Sequence, residues 1–223
     1  MFCPNDWLAI IFNPSFPYRF AHMTIAAYLT TAFVVAGVAS FYLWRRRHVK
    51  HARIMLRMAM IMAIFVAPMQ LVIGDLHGLN TLEHQPVKVA AMEGLWETQR
   101  GAPMTLFGWP DQEAEKNRWA IEIPKLTSLI LTHDIDGEVQ GLKDWPKDER
   151  PPVAWVFWSF RVMVGTGLLM LIVAWLGVVY TRKGAHPPRW LSRALVAMTF
   201  SGWVAVLSGW YTTEIGRQPY LVA

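Results

Sequence analysis

The chain has 223 residues, of which 54% are apolar and 17% are charged, and its mean hydropathy is positive. This composition excludes a typical soluble domain and indicates a membrane protein. The formal net charge of +5 does not indicate nucleic-acid binding, because the basic residues cluster in two short segments between apolar runs.

The N-terminal segment, MFCPNDWLAIIFNPSF, is apolar but lacks the basic region and the cleavage site of a signal peptide. We interpret it as a lead-in that lies at the membrane surface. It contains Cys3, the single cysteine of the chain, so the sequence has no intrachain disulfide and no CxxC metal or redox site.

Four apolar windows are long enough to cross a bilayer, which takes about 20 helical residues. We therefore predict an all-α membrane protein with four transmembrane helices and a polar extracytoplasmic loop between the second and third. The predicted spans are 20–44, 54–74, 153–181 and 190–213. They divide the chain into a first helix pair (1–74), the loop (75–152) and a second helix pair (153–223).

The charged residues between the spans predict which side of the membrane each connection faces. The connectors RRRHVKHAR and RKGAHPPRWLSR carry basic residues and no acid, whereas the segment 75–150 has fourteen acidic residues and eight basic ones. By the positive-inside rule both connectors lie in the cytoplasm, and the loop and both chain ends face outward. Within the loop, VKVAAMEGLWET is predicted as a short helix, and the loop is expected to fold against the outer ends of the helices.

Several side chains at the outer ends of the spans are costly to place next to lipid, which makes them candidates for function. His22 begins the first span, Arg161 and Met163 fall at the outer boundary of the third, and Glu214 and Arg217 end the fourth. Three spans thus bring these groups to one layer of the membrane. A His and a Met are a familiar axial pair for a low-spin haem, a carboxylate suits a high-spin iron, and Arg suits haem propionates.

Each of these residues also has a simpler interpretation. A single His at a helix end can be an interfacial anchor, Met163 can face lipid, and Arg side chains at the boundary can snorkel toward water. Glu214 and Arg217 are three residues apart and can form an ion pair that closes the helix. Gly216 and Pro219 would end the helix at that point.

Four motifs stand out along the chain: FAHMTIAAYLTTA around His22, GDLHGLNTLEHQPVKVAAMEGLWET from Gly74, FWSFRVMVGTG around Met163 and GWYTTEIGRQP from Gly209. In this order and across nearly the whole chain, they resemble subunit I of the bacterial cytochrome bd-type quinol oxidases. The segment TLFGWPDQEAEKNRWAIEIP also resembles the start of the family's quinol loop, and the short loop is most similar to the cyanide-insensitive branch.

The resemblance implies roles for residues of the first three motifs. His22 and Met163 are implied as axial ligands of the low-spin b haem where electrons enter, with Arg161 nearby. Lys88 and Glu93 match the loop residues implicated in quinol oxidation, with Glu93 as the base. Five residues of regular helix turn through about 500°, which places these two side chains about 140° apart. Without the resemblance, a solvated Lys and Glu on a loop helix is the simpler interpretation.

For the fourth motif, the resemblance implies that Glu214 is the carboxylate at a high-spin b haem, next to the haem d, or a b-type replacement, where oxygen is reduced to water. Trp210 and Arg217 are implied as its neighbours. The family's subunit I has further helices before the one that carries His22 and a last helix after GRQPY, where Tyr220 replaces the usual Trp. We therefore expect a fragment, or one piece of a split subunit, whose oxygen chemistry needs the missing N-terminal helices.

The implied partners are subunit II of the oxidase, those missing helices, membrane lipid, and ubiquinol or menaquinol, in the bacterial plasma membrane. Two other functions remain open at this point. One is a non-catalytic membrane scaffold that pairs with a larger subunit and binds no haem. The other is a four-helix di-haem cytochrome b, which is disfavoured because that class stacks pairs of His on the same helices and no predicted span contains two His.

Overall fold

The computed structural model of the chain describes residues 7–182 and 187–219, most of which are helical. Cys3, Tyr220 and part of the second basic connector lie outside the described residues. The helices are α1 (Trp7–Ile11), α2 (Phe16–Trp44), α3 (Val49–His84), α4 (Pro86–Glu93), α5 (Leu126–Thr132), α6 (Val153–Thr181), α7 (Arg189–Ala197) and α8 (Ser201–Ile215).

Among the described residues, four helical segments are long and apolar enough to cross a membrane, which agrees with the predicted number. The first two are α2 and α3, and the third contains α6, whose bounds are those predicted for the third span. The fourth segment, Arg189–Ile215, consists of α7, a short 3-10 turn and α8. Helices satisfy their backbone N–H and C=O groups internally, as a lipid environment requires.

Helix α3 continues beyond the predicted end of the second span at residue 74 and ends at His84. Polar residues such as Asp75 and Asn80 end an apolar run but not a helix, because backbone hydrogen bonds do not depend on hydropathy. The helix ends before Pro86, since Pro lacks an N–H group and restricts the residue that precedes it. Pro86 instead occupies the start of α4, a position that suits it.

The loop between α3 and α6 contains short strands that were not predicted from the sequence. Strand β1 (Gln99–Arg100) pairs antiparallel with β4 (Glu138–Val139), and β2 (Met104–Asp111) pairs antiparallel with β3 (Lys116–Ile123). The loop is therefore a mixed structure of helices and two small sheets, inserted into a mostly helical protein.

The turn between β2 and β3 is stabilised by a side chain. The carboxylate of Asp111 accepts the backbone N–H groups of Glu113 and Ala114 at 3.1 and 3.0 Å. The pairing register shifts between Thr105 and Trp109. Such irregularities break the alternation of apolar and polar residues by which a strand is recognised, and this explains why the hairpin was missed.

The chain folds as two compact units. The first comprises Met1–His77 and Val164–Val206, and the second comprises Gly78–Met163 and Leu207–Ala223. Helices α3, α6 and α8 each contribute residues to both units.

The core of the first unit joins α2, α3, α6 and α7. Small residues line α2 toward this core, with Ala32, Ala36 and Ala39 almost fully buried. Small side chains allow helices in a membrane protein to approach closely. Helix α8 lies very close to the backbone of α2 at Gly202, because a Cβ atom built on Gly202 would lie 2.6 Å from Cα of Thr30 in α2.

The second unit packs the loop against the first residues of α6 and the last residues of α8. Its core contains Ala90 and Ala91 of α4, Leu142, and Val153 and Val156 of α6. Ile215 of α8 packs against this cluster. The loop therefore folds onto helix ends, as its interrupted sequence predicted.

Replacing Gly202 with Ala is expected to destabilise the first unit, because the new methyl group overlaps the backbone of α2. Overpacking of this kind costs about 1–3 kcal/mol. The free energy of unfolding, measured by titration with a denaturing detergent, should fall by that amount. Gly167→Ala is the matched control, since nothing lies within 4 Å of a Cβ built on Gly167. Equal stability of the two variants would contradict the close packing of α2 and α8.

Candidate functional site

All of the predicted site residues except His22 lie in the second unit. Three short segments carry them: helix α4 from the loop, the first part of α6 and the last part of α8. The residues are Lys88, Glu93, Arg161, Met163, Trp210, Glu214 and Arg217.

Helix α4 turns Lys88 and Glu93 to different sides, as their spacing predicted. The helix ends at Gly94, whose φ of +67° is the left-handed conformation that caps a helix and favours glycine. Its alanines face the core, and Lys88 and Glu93 are each only 5% exposed. The interpretation of these two residues as solvated surface charges is therefore wrong, and each buried charge needs a partner.

Glu93 forms a buried ion pair with Arg161 of α6. Nη2 of Arg161 donates to Oε2 of Glu93 at 2.9 Å, and the two side chains are 12% and 7% exposed. Nε of the same guanidinium donates to the backbone carbonyl of Thr105 in β2 at 2.9 Å. The guanidinium carbon also lies over the rings of Phe157 and Phe160, 4.7 and 5.4 Å from their centroids. The loop helix, the hairpin and the span thus all contribute to holding the pair.

Lys88 is held at the end of α8, away from that ion pair. Its Nζ donates to the backbone carbonyl of Thr213 at 3.2 Å and to Oε1 of Gln85 at 3.5 Å. Carbonyls in the last turn of a helix lack partners within the helix, so an ammonium group is favourable there. Gly216 allows the approach, since a Cβ built on it would lie 2.9 Å from Cε of Lys88. Lys88 therefore ties α4 to the residue next to Glu214.

The charged pair at the end of α8 has the contact that the simpler interpretation predicts. Arg217 donates to the carboxylate of Glu214, three residues earlier. These two side chains remain 47% and 38% exposed, respectively. Trp210, one helical turn before Glu214, is 57% exposed. The carboxylate and the indole ring are thus both accessible to a ligand, which is compatible with the role that the resemblance implies.

His22, in the first unit, lies in α2 against α3. Its ring is half-buried, and a Cβ built on Gly74 would lie 3.4 Å from Nε2. The ring of His77 lies next to it, with 5.5 Å between the ring centroids. His77 was not among the predicted site residues. The GDLHGLN motif could have revealed it, because His77 lies three residues, or about one helical turn, after Gly74.

The thioether of Met163 lies against Gly209 of α8, where a Cβ would be 2.8 Å from Sδ. Met163 and His22 therefore each lie next to a helix position that has no side chain. An imidazole and a thioether are donors that bind haem iron, so each of these two side chains has by itself the chemistry of a haem ligand. Arg161 keeps further N–H groups besides those that it donates within the unit, and these suit a haem propionate.

Two contacts of the site have no signal in the sequence. Thr105 takes part through its backbone carbonyl, a group that every residue has. Gly216 takes part because it lacks a side chain, whereas its position in the sequence predicted only a role in ending the helix. Both contacts join segments that are far apart along the chain, so no local pattern could have revealed them.

In the second unit, Arg161 holds the carboxylate of Glu93 in a fixed direction. The hydrogen bond from Arg161 occupies Oε2 of Glu93, which leaves Oε1 as the oxygen that can accept a proton from a hydroxyl group. The rings of Phe157 and Phe160 lie next to the guanidinium of Arg161, and Trp158 of the same helix contacts Phe107 of β2 edge to face at 5.2 Å between centroids.

The whole chain, residues 1–223, matches the family described as cytochrome bd terminal oxidase subunit I. The cytochrome bd ubiquinol oxidase subunit 1 of Bacillus subtilis (strain 168) is 34% identical, over 98% of this chain and 49% of its own length. The cytochrome bd-II ubiquinol oxidase subunit 1 of Escherichia coli (strain K12) is 29% identical, over 96% of this chain and 54% of its own length.

A solved structure, the bd oxidase from Geobacillus thermodenitrificans, matches with a TM-score of 0.89 and 33% identity. The match covers 98% of this chain and 50% of that one. The chain thus spans about half the length of the relatives that it matches.

Replacing one member of the buried pair is expected to lower the free energy of unfolding more than replacing both members. Arg161→Gln or Glu93→Gln alone leaves an uncompensated buried charge, and such changes lower the free energy of unfolding by about 3–5 kcal/mol. The double variant should recover most of that loss in a denaturing-detergent titration. Lys125→Gln is the control, because it breaks the exposed pair with Asp136 and should change stability little. Additive losses in the double variant would contradict a coupled pair.

Proposed function

The chain belongs to the cytochrome bd terminal oxidase subunit I family, and we propose that it forms the haem-bearing part of a membrane quinol:oxygen oxidoreductase. The observation that carries the proposal is the buried pair of Glu93 and Arg161, which joins a loop helix to a membrane span. The matched relatives from Bacillus subtilis and Escherichia coli are named as ubiquinol oxidases, which supports the class of substrate.

The proposed location is the bacterial plasma membrane, with the loop 75–152 and both chain ends on the extracytoplasmic side. The four apolar helical segments support a multi-pass protein. The basic connector RRRHVKHAR and the acidic composition of the loop support the orientation, by the positive-inside rule. Quinol would then be oxidised at the outer face, where its protons are released.

Oxidation of a quinol to a quinone releases two electrons and two protons, so the site needs a base close to the phenolic oxygen. Glu93 is the proposed base, and Oε1 is the oxygen that takes the proton. Arg161 keeps the carboxylate pointing in one direction, because it bonds Oε2 while bonding the carbonyl of Thr105. Lys88 is turned toward α8. It would contact the other end of the quinol headgroup, or it would act indirectly through its hydrogen bond to the carbonyl of Thr213.

Three side chains are proposed to hold the haems. His22 and Met163 would hold the low-spin b haem, and Glu214 would be the carboxylate at a high-spin b haem, with Trp210 and Arg217 as its neighbours. The exposure of Glu214 and Trp210 supports this assignment. When bound, the haems supply the electron acceptors and the iron at which oxygen is reduced, whether the last of them is haem d or a b-type replacement.

The partner proposed for the chain is subunit II of the oxidase, within membrane lipid. Long apolar faces of the spans remain exposed within the described residues, for example at Phe65 and Ile172. Such faces are covered by lipid or by other helices in a membrane. The substrate is ubiquinol or menaquinol.

Glu93→Gln in the assembled oxidase is expected to lower quinol-driven oxygen consumption about a hundredfold or more, because an amide cannot act as the base. Haem content should stay unchanged, since Glu93 is not proposed as a ligand. Glu138→Gln, which removes an exposed carboxylate of the same loop, is the control and should keep full activity. Wild-type quinol kinetics in Glu93→Gln would remove Glu93 from the proposed site.

Absorption spectra test the haem assignments separately from turnover. His22→Ala and Met163→Leu should each abolish the sharp reduced band of the low-spin haem, whereas Glu214→Gln should alter the carbon monoxide difference spectrum of the high-spin centre and leave the low-spin band intact. Each variant thus serves as the control for the other centre. A reduced-minus-oxidised spectrum without any b-type band in the unaltered protein would instead favour the non-catalytic scaffold.

A further inference from the structure

Asn117 of β3 uses both ends of its side-chain amide to hold the segment that follows Glu93. Nδ2 donates to the backbone carbonyl of Gly94 at 2.9 Å, and Oδ1 accepts from Nε1 of Trp96 at 2.9 Å. A carbonyl can only accept and an indole N–H can only donate, so only one orientation of the amide satisfies both partners. The two hydrogen bonds therefore require an amide at this position, because neither Asp nor Leu could make both of them.

The carbonyl that Asn117 holds belongs to the residue that ends α4. Gly94 follows Glu93 directly and has a φ of +67°. The space next to it is also tight, since a Cβ built on Gly94 would lie 3.1 Å from the ring of Phe157 and 3.4 Å from Oδ1 of Asn117. The backbone just after Glu93 is thus fixed by α6 on one side and by β3 on the other.

The hairpin acts on both members of the ion pair. Strand β3 holds the backbone after Glu93 through Asn117, and strand β2 holds Arg161 through the carbonyl of Thr105. The turn of the same hairpin reaches the start of α6, where Oε1 of Gln112 accepts the N–H of Val153 at 3.3 Å. One small sheet therefore sets the position of α4 relative to the first turns of α6.

We propose that Asn117 is a positioning residue for quinol oxidation, which fixes the direction of the Glu93 carboxylate through Gly94 and Trp96. The inference rests on the proposed function of Glu93 as the base. Asn117 does not touch the substrate in this account. Its effect arises because a base and a hydroxyl group react only over a narrow range of distances and angles, and small misplacements are costly in rate.

Asn117→Asp tests the proposal in the assembled oxidase. The new side chain has the same shape and still accepts from Trp96, but it puts an oxygen opposite the carbonyl of Gly94. We expect kcat/KM for quinol to fall about tenfold or more, with haem content and haem spectra unchanged. Gln140→Glu is the matched control, because it makes the same change from amide to acid at an exposed position of the same loop and should retain the wild-type value.

The double variant separates positioning from a merely structural role. If Asn117 acts through Glu93, adding Asn117→Asp to Glu93→Gln should lower kcat/KM no further than Glu93→Gln alone. If the two losses multiply, Asn117 acts independently of Glu93 and the proposal is wrong. A wild-type value in Asn117→Asp, together with a loss in Glu93→Gln, would also overturn it while leaving the proposed function intact. Wild-type values in both single variants would reject the proposed function and the positioning role together.

If Asn117→Asp does not assemble, the variant Trp96→Phe tests the positioning role of Asn117 instead. Trp96→Phe removes the donor to Oδ1 of Asn117 and keeps an aromatic ring in the core. We expect a fall in kcat/KM of roughly fivefold, the size of one neutral hydrogen bond. An assembled Trp96→Phe enzyme with the wild-type value would contradict the role of Asn117.

Discussion

The ion pair between Glu93 and Arg161 is the interaction on which the rest of the candidate site depends. A carboxylate and a guanidinium that are 7% and 12% exposed have lost most of their hydration, and only a close pair with further hydrogen bonds offsets that cost. The fold meets this requirement with α4, β2 and α6, which are three separate segments of the chain. If α4 or α6 moved, a buried charge would be left without its partner, and if β2 moved, Arg161 would lose a hydrogen bond. The pair therefore also fixes the relative positions of the segments.

A single loop helix fixes the ends of two spans. Because Lys88 and Glu93 point to different sides of α4, one contacts the last turn of α8 and the other contacts α6. The proposed quinol base, the thioether of Met163 and the carboxylate of Glu214 consequently belong to one compact unit. This arrangement gives the loop a mechanical role in addition to its chemical one, since the residues that would oxidise quinol also hold the helix ends that would carry haem ligands.

The sequence predicted the features that depend on local pattern, and it missed those that depend on distant contacts. Runs of apolar residues predicted four spans, and the bounds of α6 were correct. The spacing of Lys88 and Glu93 predicted their divergence. The extension of α3 to His84 was missed because hydropathy changes there while backbone hydrogen bonding does not. The hairpin was missed because register shifts hide its strands. The carbonyl of Thr105 and the bonds of Asn117 were missed because they join residues far apart along the chain.

The most direct test of the central claim, that quinol gives its proton to Glu93, is a single-turnover reduction measured without oxygen. The oxidised, assembled enzyme is mixed with quinol in a stopped-flow instrument, and reduction of the low-spin haem is followed by absorbance. The account predicts that Glu93→Gln is reduced much more slowly than the wild type by quinol and equally fast by dithionite, which needs no base. Equal rates with quinol would contradict it.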